Sequence, residues 1–306
     1  MSKQIVQILG PTGVGKSRVA VEFARKFSGE VISADALQVY KGFDIGTDKA
    51  DQKTRSEISH HLIDIIDDCS QFHAWHFLQC SHQIAEDILA RNRLPIVCGG
   101  TALYLRVQIR GIFEEVKDSG QVRKSLETEL NRNGLENLWL ELHRADPEYA
   151  NKIGLNDRIR IIRALEIYRL NRIAPTALFR SNVTPFSNYT FHRIGLTLPR
   201  EELYKTIDER VEQMIDRGLI EEVRELLTRY SPRCPPFKAI GYKEIVLYLN
   251  DRIDRQQAID LIKQNTRRFA KRQLTWFRHE PDIHWYHPQA MGEMMAFLER
   301  TVWNKR

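Results

Sequence analysis

Residues 10–17 read Gly10-Pro11-Thr12-Gly13-Val14-Gly15-Lys16-Ser17, a glycine-rich octet that demands a strand before it and a helix after it. The apolar run Ile5-Val6-Gln7-Ile8-Leu9 supplies the strand, and Arg18 to Phe27 reads as the helix. Gly10, Gly13 and Gly15 let the backbone curl so that successive N–H groups face one anion. The helix start adds the positive end of its dipole, Lys16 adds a cation, and the Ser17 hydroxyl can hold Mg²⁺. The octet predicts a binding site for a di- or triphosphate. By itself it leaves open which one, and to what end.

The rest of the chain alternates in a way that suits this start. A second strand is predicted over 30–35, a helix over 75–91, and a third strand over 94–98 that ends in Gly99-Gly100-Thr101. Such alternation implies a parallel sheet flanked by helices, with ligands bound beyond the carboxyl ends of the strands. Leu9/Gly10, Asp35 and Gly99–Thr101 all fall at such ends and are expected to share one crevice. From 113 to 186 the pattern becomes all-helical, with amphipathic stretches over 119–131, 135–143 and 157–170. A strand over 191–198 returns the chain to the sheet. Helices follow over 200–217, 219–230, 238–249 and 254–278, with Asp254 as cap of the last. The expected class is therefore α/β. A core like that of P-loop nucleoside triphosphatases spans 1–112 and 187–306, and a helical insertion spans 113–186, with hinges near 113 and 186.

Lysine and arginine exceed aspartate and glutamate by 46 − 40 = 6 among 306 residues, a mild basic balance that does not by itself demand a nucleic acid. No apolar run approaches a membrane span, and the first strand runs almost directly from Met1 into the loop, so a cytoplasmic protein is expected. Cys69, Cys80, Cys98 and Cys234 are scattered without a C-x-x-C pair, which argues against both disulfides and zinc. His60-His61, His73/His76 and the group His279, His284 and His287 lack a metal-binding frame.

Four places carry candidate chemistry. Asp35 can accept a proton from a nucleophile or coordinate Mg²⁺, or it can merely cap a helix. Thr101 can orient a reacting group, or again cap. The 156–166 segment holds Arg158, Arg160 and Arg163 beside Ile159 and Ile162, a basic stripe that serves RNA or simply faces solvent. The segment 263–278 has six basic groups and no acid, interleaved with Phe269, Trp276 and Phe277. That arrangement suits phosphates and stacked bases, with a core helix that snorkels its cations as the other reading.

Blocks along nearly the whole chain resemble the tRNA dimethylallyltransferases. They are G-P-T-x-x-G-K-S at 10–17, S-A-D-x-x-Q-V-Y-x-G-x-D-I-G-T-x-K at 33–49, H-H-L-I-D at 60–64 and G-G-T-x-L-Y at 99–104. N-D-x-x-R-I-x-R-A-L-E at 156–166, I-D-E-R-V-x-x-M-I at 207–215, R-G-L-I-E-E-V at 217–223, A-I-G-Y-K-E at 239–244 and F-A-K-R-Q-L-T-W-F-R at 269–278 continue the series. The chain stops at Arg306 without the zinc-finger tail of eukaryotic members, which points to the bacterial type.

The resemblance implies transfer of a dimethylallyl group from its diphosphate to N6 of the adenosine on the 3′ side of the anticodon. It implies Asp35 as base, Thr101 and Arg210 as catalytic partners, and residues 10–17 as the diphosphate cradle with Ser17 on Mg²⁺. It further implies tRNA contacts from Asp35, Ala36, Leu37, Gln38, Arg123, Ile159, Arg160, Ile161, Ile162, Arg163, Lys271 and Arg272. The anticodon stem-loop and dimethylallyl diphosphate are the expected partners, with the chain acting as a monomer. Leu103 and Tyr104 are expected to help hold the five-carbon group. Ala36 stands where the family often has serine, and the Cys69–Trp75 tract departs from the family's version. Alternative readings are an adenylate isopentenyltransferase acting on AMP, ADP or ATP, a small-metabolite P-loop kinase, and an RNA-binding nucleotide switch.

Overall fold

The computed structural model of the chain describes residues 3–113 and 120–303. These fall into two compact units, one of Met1–Ile109 with Pro185–Arg306, the other of Arg110–Thr184. The division comes at 110 and 184, close to the expected 113 and 186, and the expected helix start at Ser119 lies outside the described residues.

In the larger unit, β1 (Lys3–Leu9) leads to α1 (Lys16–Lys26), β2 (Gly29–Ser33), α2 (Gln52–Glu57) and β3 (His60–His61). There follow α3 (Ala74–Ala90), β4 (Leu94–Gly99) and α4 (Ala102–Arg110). All pairings in the six-stranded sheet are parallel, in the order β3-β2-β4-β1 and then two further strands supplied after the insertion. β1 therefore runs through the middle of the sheet, and Ile5, Val6, Ile8 and Leu9 are all fully buried. Gln7 is buried with them because Gln108 and the Leu105 carbonyl accept its amide N–H groups. Leu9 is level with Gly99, and Ser33 with Cys98. The phosphate loop, Asp35 and Thr101 thus leave the sheet from the same edge.

The smaller unit is helical. It holds α5 (Gln121–Ala145), α6 (Pro147–Lys152), α7 (Arg158–Asn171) and α8 (Pro175–Arg180). α5 is interrupted at Gly134, which matches the two helices expected there. Its own core is built from Leu126, Leu138, Leu142, Ile161, Ile162 and Leu165 among others.

The larger unit resumes with β5 (Tyr189–Leu196), α9 (Arg200–Asp216), α10 (Leu219–Arg229), α11 (Tyr242–Leu249), α12 (Arg255–Arg278), β6 (His284–Tyr286) and α13 (Met291–Leu298). β5 pairs with β1 and β6 with β5. Asp254 caps α12 as expected, accepting from the Gln257 N–H at 2.8 Å while Gln257 Oε1 accepts from the Asp254 N–H. The predicted 238–249 helix is shorter. A 3-10 turn covers Pro235–Lys238, and α11 starts only at Tyr242, because Glu244 takes the Gly241 N–H.

One expectation is overturned here. Cys69 and Cys234 form a disulfide, their Cα atoms 4.9 Å apart across 165 residues of sequence. Sequence spacing gives no hint of it, since the pair meets only because folding brings their two loops together. Tyr230 donates to Asp67 at 3.1 Å, and Phe43 packs against Tyr230, Phe237 and Tyr242 beside it.

Candidate active site

The phosphate loop is shaped by residues that place backbone donors and leave them available. Gly13 and Gly15 adopt φ of 81° and 87°, a region hostile to side chains, and Gly15 is the N-cap of α1. No side chain caps that helix, so its first N–H groups are left for an anion. Lys16 donates to the Pro11 carbonyl at 2.7 Å and sits half-buried. Burial pushes its ammonium down to about 8; the neighbouring Arg210 charge acts in the same direction, and Asp35 and Asp48 act against it. The Cys98 thiol beside it is pushed up to about 11 by burial.

Arg210 comes from α9 and donates to the Thr12 hydroxyl at 2.8 Å, while its Nε lies 3.3 Å from Asp48. The structure therefore brings this distant arginine to the loop. Asp35 Oδ1 accepts the Leu37 N–H at 2.8 Å, and among the described residues its other oxygen has no hydrogen-bond partner. Thr101 brackets that aspartate: its N–H donates to the Ala34 carbonyl at 3.2 Å, and its hydroxyl accepts from the Ala36 N–H at 3.2 Å.

A cavity of about 440 Å³ opens beside Thr12, Asp35 and Arg210. Thr12, Asp35 and Arg210 line it together, Ile207, Val211, Met214, Ile262 and Phe269 give it an apolar wall, and Lys238, Lys243 and Arg272 add positive charge. Leu103 and Tyr104 do not line it. Leu103 is 44% exposed, and Tyr104 is buried flat against Phe77 at 4.4 Å. The apolar wall of this cavity comes from α9 and α12.

Ser17 is exposed at the end of the loop. No cluster of three His, Cys, Asp or Glu side chains fit for a metal occurs among the described residues. A serine hydroxyl completed by phosphate oxygens is a hard-oxygen set that fits Mg²⁺. His60 and His61 bind within the fold instead, His60 to the Ile58 carbonyl at 2.7 Å and His61 to Glu30 at 2.6 Å.

The expected RNA-facing residues divide. Leu37 lines the cavity. Ala36 is tied by its N–H to Thr101. Gln38 is taken up inside the fold, accepting from Ser33 at 2.8 Å and donating to the Thr47 carbonyl at 3.1 Å. On α7, Ile159 is 77% exposed, Arg160 pairs with Asp157, the cap of the helix, and Arg163 pairs with Glu166 within it. Ile161 and Ile162 are buried in the core of their unit, so their side chains cannot reach a ligand; the helical period splits a run that reads as continuous. Arg123 lies 3.5 Å from Glu127 and 3.6 Å from Glu166. On α12, Arg272 faces the cavity, whereas Lys271, one position earlier, turns to a smaller pocket with Arg200 and Tyr204. The aromatic part of that helix is also corrected. Phe277 is core and Trp276 is covered by Arg106 at 4.3 Å, which leaves Phe269 to face the cavity.

Several residues that matter carried no local signal. Glu222 of α10 accepts the N–H groups of Asp44, Ile45 and Gly46 and the Tyr242 hydroxyl, and so holds the loop that presents Thr47 and Asp48. Buried Lys49 is paired with Asp44 and Asp64, which explains why the 44–49 and 60–64 blocks go together. The quoted blocks R-G-L-I-E-E-V and A-I-G-Y-K-E contain Glu222 and Tyr242, and that was the available clue.

Comparison with known proteins places this arrangement. The profile of a family described as IPP transferase matches residues 38–280, and one described as isopentenyl transferase matches 3–62. The chain is 43% identical over 284 residues to a tRNA dimethylallyltransferase of Halothermothrix orenii, covering 92% of this chain and 87% of that one. It is 44% identical over 286 residues to one of Heliobacterium modesticaldum, covering 93% and 89%. Among solved structures, it superposes on the full-length tRNA isopentenylpyrophosphate transferase of Bacillus halodurans with a TM-score of 0.73 and 36% identity, covering 99% and 98%. A eukaryotic dimethylallyltransferase acting on tRNA gives a TM-score of 0.75 at 29% identity, covering 99% of this chain and 77% of that one.

Proposed function

The chain belongs to the IPP transferase family, and on that premise we propose that it transfers a dimethylallyl group from dimethylallyl diphosphate to N6 of the adenosine 3′ to the anticodon of tRNA, releasing diphosphate. The observation that carries this reading is the single cavity lined by Thr12, Arg210 and Asp35, with an apolar wall from α9 and α12.

In the reaction, the bond between N6 and the allylic carbon forms as the bond from that carbon to the diphosphate oxygen breaks. Negative charge grows on the departing diphosphate, where the open N–H groups of the loop, Lys16 and Arg210 stabilise it. The N6 proton passes to Asp35, which lines the cavity and keeps one carboxylate oxygen outside its bond to Leu37, and this raises the reactivity of a poor aromatic amine. The apolar wall holds the five-carbon chain and keeps water from the electron-poor carbon. Mg²⁺ would be held by Ser17 and phosphate oxygens, and it would further neutralise the leaving group.

The adenine must leave its stack to enter, at a cost of a few kcal/mol. Arg272 and Phe269 at the cavity, with Lys271, Arg123, Arg160 and Arg163, are proposed to offset that cost on RNA, the protein acting as a monomer. No helix among the described residues is long and apolar enough to cross a membrane.

The test offers labelled dimethylallyl diphosphate to the purified protein with either unmodified tRNA or AMP. Label on tRNA with release of diphosphate is the expected result. Label on AMP alone would turn the reading to an adenylate isopentenyltransferase.

A further inference from the structure

Gln273 lies in the middle of α12, between the two cations assigned to RNA and the residues of the core, and the transferase reading gives it no task. It is 6% exposed and makes two long-range hydrogen bonds. Its Oε1 accepts the Thr12 N–H at 2.9 Å, and its Nε2 donates to the Gly100 carbonyl at 2.8 Å. The contact with Gly100 is so close that a Cβ there would stand 2.4 Å from Nε2. One amide therefore links the phosphate loop to the end of β4.

Both partners lead directly to reacting groups. Thr12 presents its hydroxyl to Arg210, so the Gln273 carbonyl holds the backbone of a residue whose side chain holds the arginine. Gly100 precedes Thr101, which is hydrogen-bonded to the residues on either side of Asp35. We propose that Gln273 is a positioning residue that fixes the spacing between the diphosphate cradle and the proton-accepting aspartate, an inference that rests on the transferase reading. Displacement needs its reacting atoms about 3–3.5 Å apart, and a shift of about 1 Å costs up to a hundredfold in rate. The leaving group is set by one end of this link and the incoming amine by the other.

The amide is polar in one sense only: it accepts on the loop side and donates on the β4 side. Glutamate keeps its shape but, ionised, turns an oxygen toward the Gly100 carbonyl. Protonated, it donates again. Methionine keeps the volume and makes neither bond. The expectations follow from this chemistry.

The test compares wild type, Gln273→Glu and Gln273→Met, all full-length, by thermal midpoint, by binding of inorganic diphosphate, and by steady-state transfer to tRNA between pH 6 and pH 8. Gln273→Met is expected to bind diphosphate within about threefold of wild type while kcat falls roughly tenfold to a hundredfold. Gln273→Glu is expected to show a similar loss at pH 8 and to recover severalfold relative to wild type as the pH falls to 6. The Met variant should show no such recovery. Variants that match wild-type kcat overturn the inference while leaving the transferase reading intact. So does a kcat loss fully accounted for by a lower folded fraction, with the Glu and Met variants showing the same pH profile. A wild type that transfers nothing to tRNA overturns the transferase reading, and this inference with it.

Discussion

In the larger unit Arg210 lines the cavity and Lys16 is folded back onto the Pro11 carbonyl of the phosphate loop, whereas Arg123, Arg160 and Arg163 of the Arg110–Thr184 unit stand at its surface beside carboxylates. Enclosed charges interact strongly and resist screening, and burial lowers the proton affinity of an enclosed cation, as the Lys16 ammonium illustrates. Exposed ion pairs are worth about 0–1 kcal/mol and are weakened by salt. An arginine in such a pair can exchange a carboxylate for an RNA phosphate at little cost. The first environment suits bond making and breaking, and the second suits reversible grip. Arg169 is the exception in the smaller unit: it bridges Glu129 and Glu141 with distances of 2.7 Å and holds Glu129 down to about 2, a clamp between helices.

The sharpest way to break this contrast is at the base. Asp35→Asn should lower kcat by roughly a thousandfold while tRNA affinity stays within a few fold. A variant that binds tRNA poorly but turns over normally once saturated would place Asp35 with the grip. Next is the independence of the two cores. Leu165→Ala, in the core of the smaller unit, should cost about 2–5 kcal/mol there. Calorimetry should show one transition moving down while another, from the sheet-bearing unit, stays put; both moving together would mean a single cooperative core.

A smaller effect is expected from pH. Lys16 is charged below about 8 and loses its charge above it, so the KM for dimethylallyl diphosphate should climb as pH rises through that value. The slope approaches tenfold per unit until the higher proton affinity of the liganded lysine takes over. A KM flat from pH 7 to pH 9 would remove Lys16 from the cradle. The mildest change is Arg160→Ala, which should raise the KM for tRNA a few fold, leave kcat alone, and reduce the slope of log KM against log salt by about 1. Loss of kcat instead would give the surface stripe a part in the chemistry.

Legibility followed the range of the interactions. The octet at 10–17, its strand and its helix were plain because the backbone geometry they need is encoded within a few residues. Asp35 and Thr101 were placed correctly at strand ends because parallel sheets align those ends. The outer strands β3 and β6 are not legible in the sequence: His60–His61 and His284–Tyr286 are only two and three residues long, and only their neighbours make them strands. Gln273 meets Thr12 across 261 residues, and Glu222 meets Ile45 across 177, so no local pattern could pair them. The burial of Ile161 and Ile162 is recoverable from the sequence, since at 3.6 residues per turn they share one face with Leu165 while Ile159 falls outside it, but a run read residue by residue conceals it.

The bond between Cys69 and Cys234 has an outcome for handling the protein. Every residue of the insertion lies between those two cysteines, so the whole unit hangs from a covalent ring. A protease that nicks the chain anywhere from 70 to 233 yields pieces that still travel as one species on a gel. They part only when a thiol reagent opens the ring.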